Sequence, residues 1–588
     1  MTYQLRTPIL PIYDDYSILE TLFAARGIPP KNIDHYLHTT EADVLSPSLI
    51  ANIDDGIKML IQHISNDDKI FIQVDSDCDG YTSAAVLINY INCFAPGYAQ
   101  NNIIYRIHEG KQHGLIPDTI PNEVKLVIAP DSSSNDYEQH KELKQRGCDV
   151  LVIDHHEAEK ISPYACVINN QLCDYPNKTL SGVGMVYKFC SRFDELAGYN
   201  YANQFLDLTA LGLIGDMMDL RNFETKYLIE EGLTDIRNPF FKEMIKTQNY
   251  SIDRAGGLCP FSVSFYIVPQ INGTIRMGTF EEKILLFESM LDFKGYESIP
   301  STKRGCKGQF EPRVEQACRV CGSVKRLQSK TVENNLGIIE DIISRNRLDY
   351  NKIIAVKLDK EHSINRNLTG LIANQLVSKY QHPILILSED VDTNGNVVWE
   401  GSGRGYETKD FDDLKKFLKD SHKVFLAEGH PNACGVGITE KDFNSFIEYS
   451  NEALKDCQFE PCQKVDFIWQ GNHFKGQDII DLASLNLLWG QGLEKPYIAI
   501  EHLQVQPNQV FLMSRDKSPT LKIELSNGVS LIKFKSSEEE YNKFIENPNG
   551  SVVLDIVGTC NINEWNGRIT PQIEVSNYEV VGVNKYYF

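Results

Sequence analysis

Three short apolar runs, KIFIQV (69–74), KLVIAP (125–130) and DVLVI (149–153), each lead within a residue or two into acidic or imidazole side chains. Runs of this length without polar alternation read as strands buried on both faces, and the segments TSAAVLINYI and LSGVGMVYKFCSRF between and after them carry a helical period. Strand and helix alternating in this way from about residue 45 to 235 predict a parallel α/β sheet. Ligands of such sheets bind beyond the carboxyl ends of the strands. Asp75, Asp77 and Asp79 of VDSDCDG, then Asp131, then Asp154-His155-His156 would therefore share one crevice. The apolar run LDLTALGLIGDMMDL delivers Asp216 at a glycine-containing break.

VDSDCDG alone fits three other descriptions. A calcium loop begins the same way, but it needs an acidic ligand at its twelfth position and flanking helices, whereas Val86 holds that position and a strand precedes. A phosphoaspartate enzyme would carry Thr where Tyr81 stands. A solvated acidic turn explains the motif but not its partners. Several carboxylates in one cleft repel each other unless cations compensate. Carboxylates with one or two imidazoles suit Mn²⁺ or Mg²⁺ better than a thiolate-rich zinc site. Two such ions about 3.5–4 Å apart, sharing a carboxylate, make a site for in-line attack on phosphorus.

Beyond residue 235 the pattern changes several times. We expect five regions: 1–235, the parallel-sheet domain with an N-terminal extension; 236–310, a helical and mixed extension; 311–345, a long and largely exposed connecting helix; 346–457, a second α/β domain; and 458–588, short strands with turn signals that suggest a small β-barrel. The second α/β region carries GSGRG and EGHPNACGVG, in which Ser402, Arg404, Gly429 and His430 offer a hydroxyl, a guanidinium, close-approaching backbone and an imidazole, a set that suits a phosphate. Cys318-x-x-Cys321 with Cys306 lacks a second pair at zinc-finger spacing and lies in a helical pattern. The 588 residues carry a formal charge of -22, which argues against a general nucleic-acid coat, though a local groove could still bind phosphate. No apolar run approaches a membrane span, and the first residues lack the zones of a signal peptide, so we expect a cytoplasmic protein with its 14 cysteines reduced and no membrane partner.

VDSDCDG, Asp131, DHH at 154–156 and GLIGDMMDL resemble the successive motifs of the DHH phosphoesterase superfamily, and of its RecJ branch of single-strand-specific exonucleases in particular. ISPYACVINNQLCDYPNKTLSGVGMVYKFC and FSVSFYIVPQINGTIRMG resemble further RecJ segments, the latter ending in Asn272 and Arg276. GSGRG and EGHPNACGVG resemble the DHH-associated domain, and the terminal β region resembles the RecJ OB-fold. The resemblance implies a fold of a parallel-sheet DHH domain, a long connecting helix, a second α/β DHH-associated domain and a C-terminal OB-like β-barrel.

By position, it implies that Asp77, Asp79, Asp131, His155 and Asp216 hold two Mn²⁺ or Mg²⁺ ions, with Asp131 bridging. Asp75 and Asp154 would contact metal less directly or orient ligands, and His156 would meet the scissile phosphate or the leaving oxygen. Arg106, Ser402, Arg404, Gly429 and His430 would hold a terminal 5′ phosphate, while Arg276 lines the route of the strand. Trp565, Phe511, Arg568 and Lys533 are candidate strand contacts in the OB region. The implied activity is 5′-to-3′ hydrolysis of single-stranded DNA to 5′ mononucleotides in repair, recombination or replication, by a monomer, with a single-strand-binding protein or a helicase as candidate partners. The alternatives are a DHH phosphodiesterase for oligoribonucleotides or cyclic dinucleotides, and a catalytically inactive DNA-binding scaffold. The chain departs from the family at Glu428, where the usual motif is Gly-Gly-His, at His113 in place of Tyr, at Gln270 in place of Arg, and in lacking His-x-Gly before LTGLIANQL.

Overall fold

The computed structural model describes residues 2–7, 16–109, 112–158, 160–306, 308–360, 362, 364–408, 410–459, 462–514, 518–546, 550–565 and 567–585. The chain divides into two compact units: Leu5–Val324 with Lys464–Phe588, and Lys325–Gln463 with Thr2–Gln4.

The first unit is built on five parallel strands, β1 (Lys69–Val74), β2 (Ile103–Ile107), β3 (Val124–Pro130), β4 (Asp149–Asp154) and β5 (Cys166–Asn169), in the order β2-β1-β3-β4-β5. The apolar runs bury both faces, as side-chain alternation on a pleated strand requires: Ile70, Ile72, Leu126, Ile128, Leu151 and Ile153 enter one core, and Phe71, Val127, Ala129, Val150 and Val152 enter another. β1 connects outward to β2, and the chain then returns to the other side of β1 as β3. The connection therefore reverses direction there, and a crevice opens at the carboxyl ends of β1 and β3.

Helix α1 (Cys78–Phe94) follows β1 and is buried along almost its whole length, from Cys78 to Ile91, because it packs between the sheet and helices α2 (Gly182–Ala197) and α3 (Leu206–Gly215). A helix apolar on all sides has no solvent face to present. Further on, Val263–Ile267 forms one π-helical turn before α4 (Val268–Met277). Pro269 lacks an N–H for the regular ladder at this point, which favours the widened turn.

The connecting helix α5 (Arg313–Arg345) is less exposed than its composition suggests. Val314, Ala317, Cys318 and Cys321 lie on one face and are buried with the first unit's core, so the two cysteines are core side chains; Val332, Ile339 and Ile343 are buried farther along. The second unit has a mixed five-stranded sheet of β6 (Ile354–Leu358), β7 (Ile384–Val391), β8 (Val397–Arg404), β9 (Leu426–His430) and β10 (Ala433–Thr439), ordered β9-β10-β8-β7-β6, with helix α6 (Thr369–Tyr380) between β6 and β7 in sequence.

The C-terminal region, part of the first unit, is a seven-stranded sheet: β11 (Phe467–Gln470), β12 (Tyr497–Val505), β13 (Val510–Met513), β14 (Thr520–Glu524), β15 (Ser530–Lys533), β16 (Gly550–Trp565) and β17 (Arg568–Lys585), in the order β11-β12-β16-β17-β15-β14-β13. Register shifts at Ile500/Leu503, Val553/Leu554 and Val557/Gly558 mark bulges, which bend long strands into barrel-like curvature. Helices α7 (Gly476–Ser484) and α8 (Glu538–Ile545) interrupt a stretch whose sequence reads only as strands and turns. No described helix is long and apolar enough to cross a membrane.

Candidate metal centre and phosphate groove

The acidic positions converge because each is placed by the end of a strand or helix. Asp77 caps α1, its Oδ1 accepting from the Gly80 N–H at 3.0 Å. Asp79, in the first turn of α1, is buried and reaches the start of α2, where it accepts from Ser181 Oγ at 2.8 Å and from the N–H groups of Gly182 at 2.6 Å and Val183 at 3.1 Å. Two helix N-termini therefore point toward these carboxylates, an orientation that favours negative charge. Asp131 takes a left-handed backbone (φ 66°) directly after β3 while its N–H donates to the Ile153 carbonyl at 2.8 Å. His155 Nε2 then lies between Asp131 Oδ1 at 3.2 Å and Asp216 Oδ2 at 3.4 Å.

Space around the cluster is filled. A Cβ on Gly182 would stand 2.3 Å from Asp131 Oδ1, and one on Gly212 would stand 2.6 Å from Asp79 Oδ1, so α2 and α3 can approach only as glycine backbone. Three groups of possible ligand atoms lie within 4.8 Å of one another: Asp75, Asp77 and Asp131; Asp79, His155 and Asp216; and Asp131, Asp154, His155 and His156. All eight acidic and histidine positions singled out from the sequence thus fall in one place.

Their electrostatics separate two kinds of carboxyl group. Burial, followed by the charge of neighbouring aspartates, pushes Asp77 up and Asp131 well up, and pushes Asp216 to about 8. Asp79 is raised as well, chiefly by burial. Asp154 behaves oppositely: burial would raise it, but the hydrogen bond from His156 and the two adjacent imidazole charges outweigh that and hold it far below the usual carboxylate range. It accepts from the N–H groups of Ser134 at 3.0 Å and His155 at 2.8 Å, and from His156 Nδ1 at 2.8 Å. Burial lowers His155, whereas in His156 the Asp154 bond and charge overcome burial and push the ring up to about 9.

Sequence reasoning missed the groups that brace this arrangement. Asp75 Oδ2 accepts from His113 Nδ1 at 2.7 Å, and His108 Nε2 stands 3.6 Å from Asp75 Oδ1. Asn272 Oδ1 accepts from the Cys78 N–H at 2.9 Å, and Asn169 Nδ2 ties Ser134 Oγ at 2.8 Å to the His156 carbonyl at 2.9 Å. The paired histidines of IHEGKQHGL, beyond the second strand, were the available signal for the first of these.

Arg276 lies one turn from Asn272 on α4, and its charge acts on Asp77. Arg106 ends β2, where its guanidinium meets His108 Nδ1 at 3.1 Å and Gln112 Oε1 at 3.3 Å. The other four proposed phosphate contacts lie together in the second unit. Ser402 Oγ bonds Thr369 Oγ1 at 2.8 Å, and a Cβ on Gly370 would meet Arg404 Nη2 at 2.4 Å, so both side chains sit at the amino end of α6. Register carries Ser402 across Gly435 to Glu428, and Arg404 across Ala433 to His430, placing these side chains on one face of the sheet. Gly429 has φ 118°, open to glycine alone without strain.

Among the candidate strand contacts, Lys533 bonds Glu540 at 3.1 Å and packs over Tyr578, which turns it toward structure rather than solvent. Phe511 is exposed, Arg568 lies at the hairpin tip between β16 and β17, and the Trp565 side chain falls outside the described residues.

Comparison with known proteins agrees with this architecture. The DHH family N-terminal domain matches residues 69–213, and the RecJ OB domain matches residues 472–577. The SPbeta prophage-derived YorK of Bacillus subtilis (strain 168), provisionally named a single-strand DNA-specific exonuclease, is 38% identical over 97% of both chains. The single-stranded-DNA-specific exonuclease RecJ of Bacillus subtilis (strain 168) is 24% identical over 93% of this chain and 65% of its own. RecJ of Thermus thermophilus has the same fold: its Mn²⁺ complex superposes with TM-score 0.69 at 16% identity over 99% of this chain and 80% of that one. Its Mg²⁺ complex gives TM-score 0.63 at 16% identity over 100% and 79%. Ordered motifs, matching domains at both ends and a relative aligned almost end to end place the chain in the RecJ family of DHH proteins.

Proposed function

We propose that the chain is a metal-dependent exonuclease acting on single-stranded DNA in the 5′-to-3′ direction and releasing 5′ mononucleotides. The observation that carries this reading is the mutually repelling set of buried Asp79 and Asp131 and half-buried Asp77 and Asp216 around His155. Asp131 Oδ1 and Asp75 Oδ1 are buried without a hydrogen-bond partner among the described residues, as oxygens awaiting a cation would be. This all-oxygen and imidazole donor set fits Mn²⁺ or Mg²⁺, the ions present in the Thermus RecJ complexes.

Asp77, Asp79, Asp131, His155 and Asp216 would hold two such ions. Asp131, which groups with Asp75 and Asp77 on one side and with the histidines on the other, would be shared between them. When bound, divalent ions polarise the phosphoryl oxygens and lower the pKa of an attacking water. The chain's own residues do the rest. Asp154 fixes His156 through Nδ1, which leaves Nε2 to meet the scissile phosphate or to protonate the departing oxygen. Asp75 is engaged by His113, so its contribution to metal binding is weaker than that of the five proposed ligands. Arg276 neutralises phosphate on the approach past Asp77. Ser402, Arg404, Gly429 and His430 of the second unit bind the terminal phosphate, which confines cutting to an end and sets its direction. The OB-like region grips the incoming strand, and repair, recombination or replication is the setting.

The test uses single-stranded, duplex and RNA oligonucleotides labelled at either end, with Mn²⁺ or Mg²⁺. Mononucleotide release from the 5′ end of single-stranded DNA, lost in Asp77→Ala, supports the reading. Equal activity on a cyclic dinucleotide with none on long DNA would overturn it.

A further inference from the structure

The phosphate groove of the second unit holds an acid that the terminal-phosphate reading does not use. α6 lies over one side of this sheet face, with Thr369 against Ser402 and Gly370 against Arg404. β10 offers only Ala433 and Gly435 beside them, and a Cβ on Gly435 would meet nothing closer than the Glu428 carbonyl at 3.8 Å. The result is a shallow trough floored by two small residues. One wall carries Ser402 and Arg404; the other, two strands away, carries Glu428 and His430.

Register sets Glu428 opposite Ser402 two strand spacings away, about 9.6 Å, so a phosphate seated between Ser402 and Arg404 lies within about one Debye length of the Glu428 carboxylate at about 0.1 M salt. Glu428 is exposed and takes part in no ion pair among the described residues. Lys415 of the adjoining helix donates through Nζ to the Gly429 carbonyl at 2.6 Å and keeps its positive charge beside the trough. Removing the Glu428 charge would therefore strengthen the positive field that Arg404 and Lys415 present to whatever enters.

We propose that Glu428 sets the end-group specificity of the enzyme: it opposes a terminal phosphate dianion and makes 5′-hydroxyl DNA ends a substrate class in their own right. This rests on the trough being the site of the terminal group. A unit charge facing a dianion at about 8 Å in water changes relative affinity roughly fivefold.

The experiment compares kcat/KM for 5′-phosphorylated and 5′-hydroxyl forms of one oligonucleotide. The ratio is internal to each protein preparation, so partial misfolding cancels. Glu428→Gln and Glu428→Gly should each raise the phosphate-over-hydroxyl ratio about fivefold, with the gain shrinking as salt is added. Arg404→Ala should lower it about tenfold. If Arg404→Ala lowers the ratio while both Glu428 variants leave it unchanged, the role of Glu428 is overturned and the trough stands. If Arg404→Ala leaves it unchanged, the trough reading fails and the inference fails with it.

Discussion

The proposed metal centre and the proposed phosphate trough are built on opposite plans. Asp79 is 1% exposed and receives three donors from a single helix start, and Gly182 and Gly212 press against the carboxylates so closely that neither could carry a methyl group. At the trough, Glu428, Gly429 and His430 are exposed, and Gly435 has open space above it. The chemistry needs charges fixed against their own repulsion, so its scaffold closes around Asp79 and Asp131 and leaves Asp77, Asp216 and His156 at least partly exposed at the crevice. End recognition needs only a few contacts on an open sheet, so single substitutions there can retune it without disturbing the fold.

The largest expected effect falls on the closed side. Asp131→Ala should reduce cleavage by at least about 10³-fold, equivalent to roughly 4 kcal/mol of transition-state stabilisation, in single-turnover assays. Next come the glycines. Gly182→Ala should cost about 10²-fold in rate by displacing Asp131 and about 1–3 kcal/mol in denaturant stability. Gly435→Ala should stay within about twofold on both measures, and equal sensitivity of the two glycines would dissolve the contrast.

A third expectation concerns pH in the protein stripped of divalent ions. An unfolded aspartate releases its proton near 3.8, whereas folded Asp216 keeps it to about 8. The folded state binds more protons across that window, so stability falls as pH rises from about 4 to about 8. Calorimetry should show Tm declining over this range, with the decline reduced in Asp216→Asn and removed by Mn²⁺. A milder effect than at the metal centre itself should come from His113→Phe, which frees Asp75 and should lower kcat about threefold to tenfold with KM little changed. A change confined to KM would assign His113 to substrate binding instead.

Much of this is legible in the order of the residues. The strand ends locate Asp77, Asp131 and His155 because buried parallel strands announce themselves as unbroken apolar runs, and a strand's carboxyl end is where a crevice must open. What stays hidden depends on long-range packing. The paired histidines of YRIHEGKQHGL signal a site but not that His113 turns back to Asp75, and nothing in LSGVGMV says that Ser181 serves Asp79. The burial of Cys318 and Cys321 on α5 could not be told from a polar connecting helix, since only part of its surface is covered. Lys533 reads as a strand contact until Glu540 is seen beside it.

The proposed ligands of the metal centre are far apart in the chain: Asp79 is joined to Gly182 across 103 residues, and Asp216 lies farther still. A chain emerging from the ribosome therefore cannot assemble the full acidic set until the α3 helix has been made and folded back over α1. Until then the polypeptide carries the DHH motif without the cluster it belongs to, and synthesis itself delays the appearance of a nuclease.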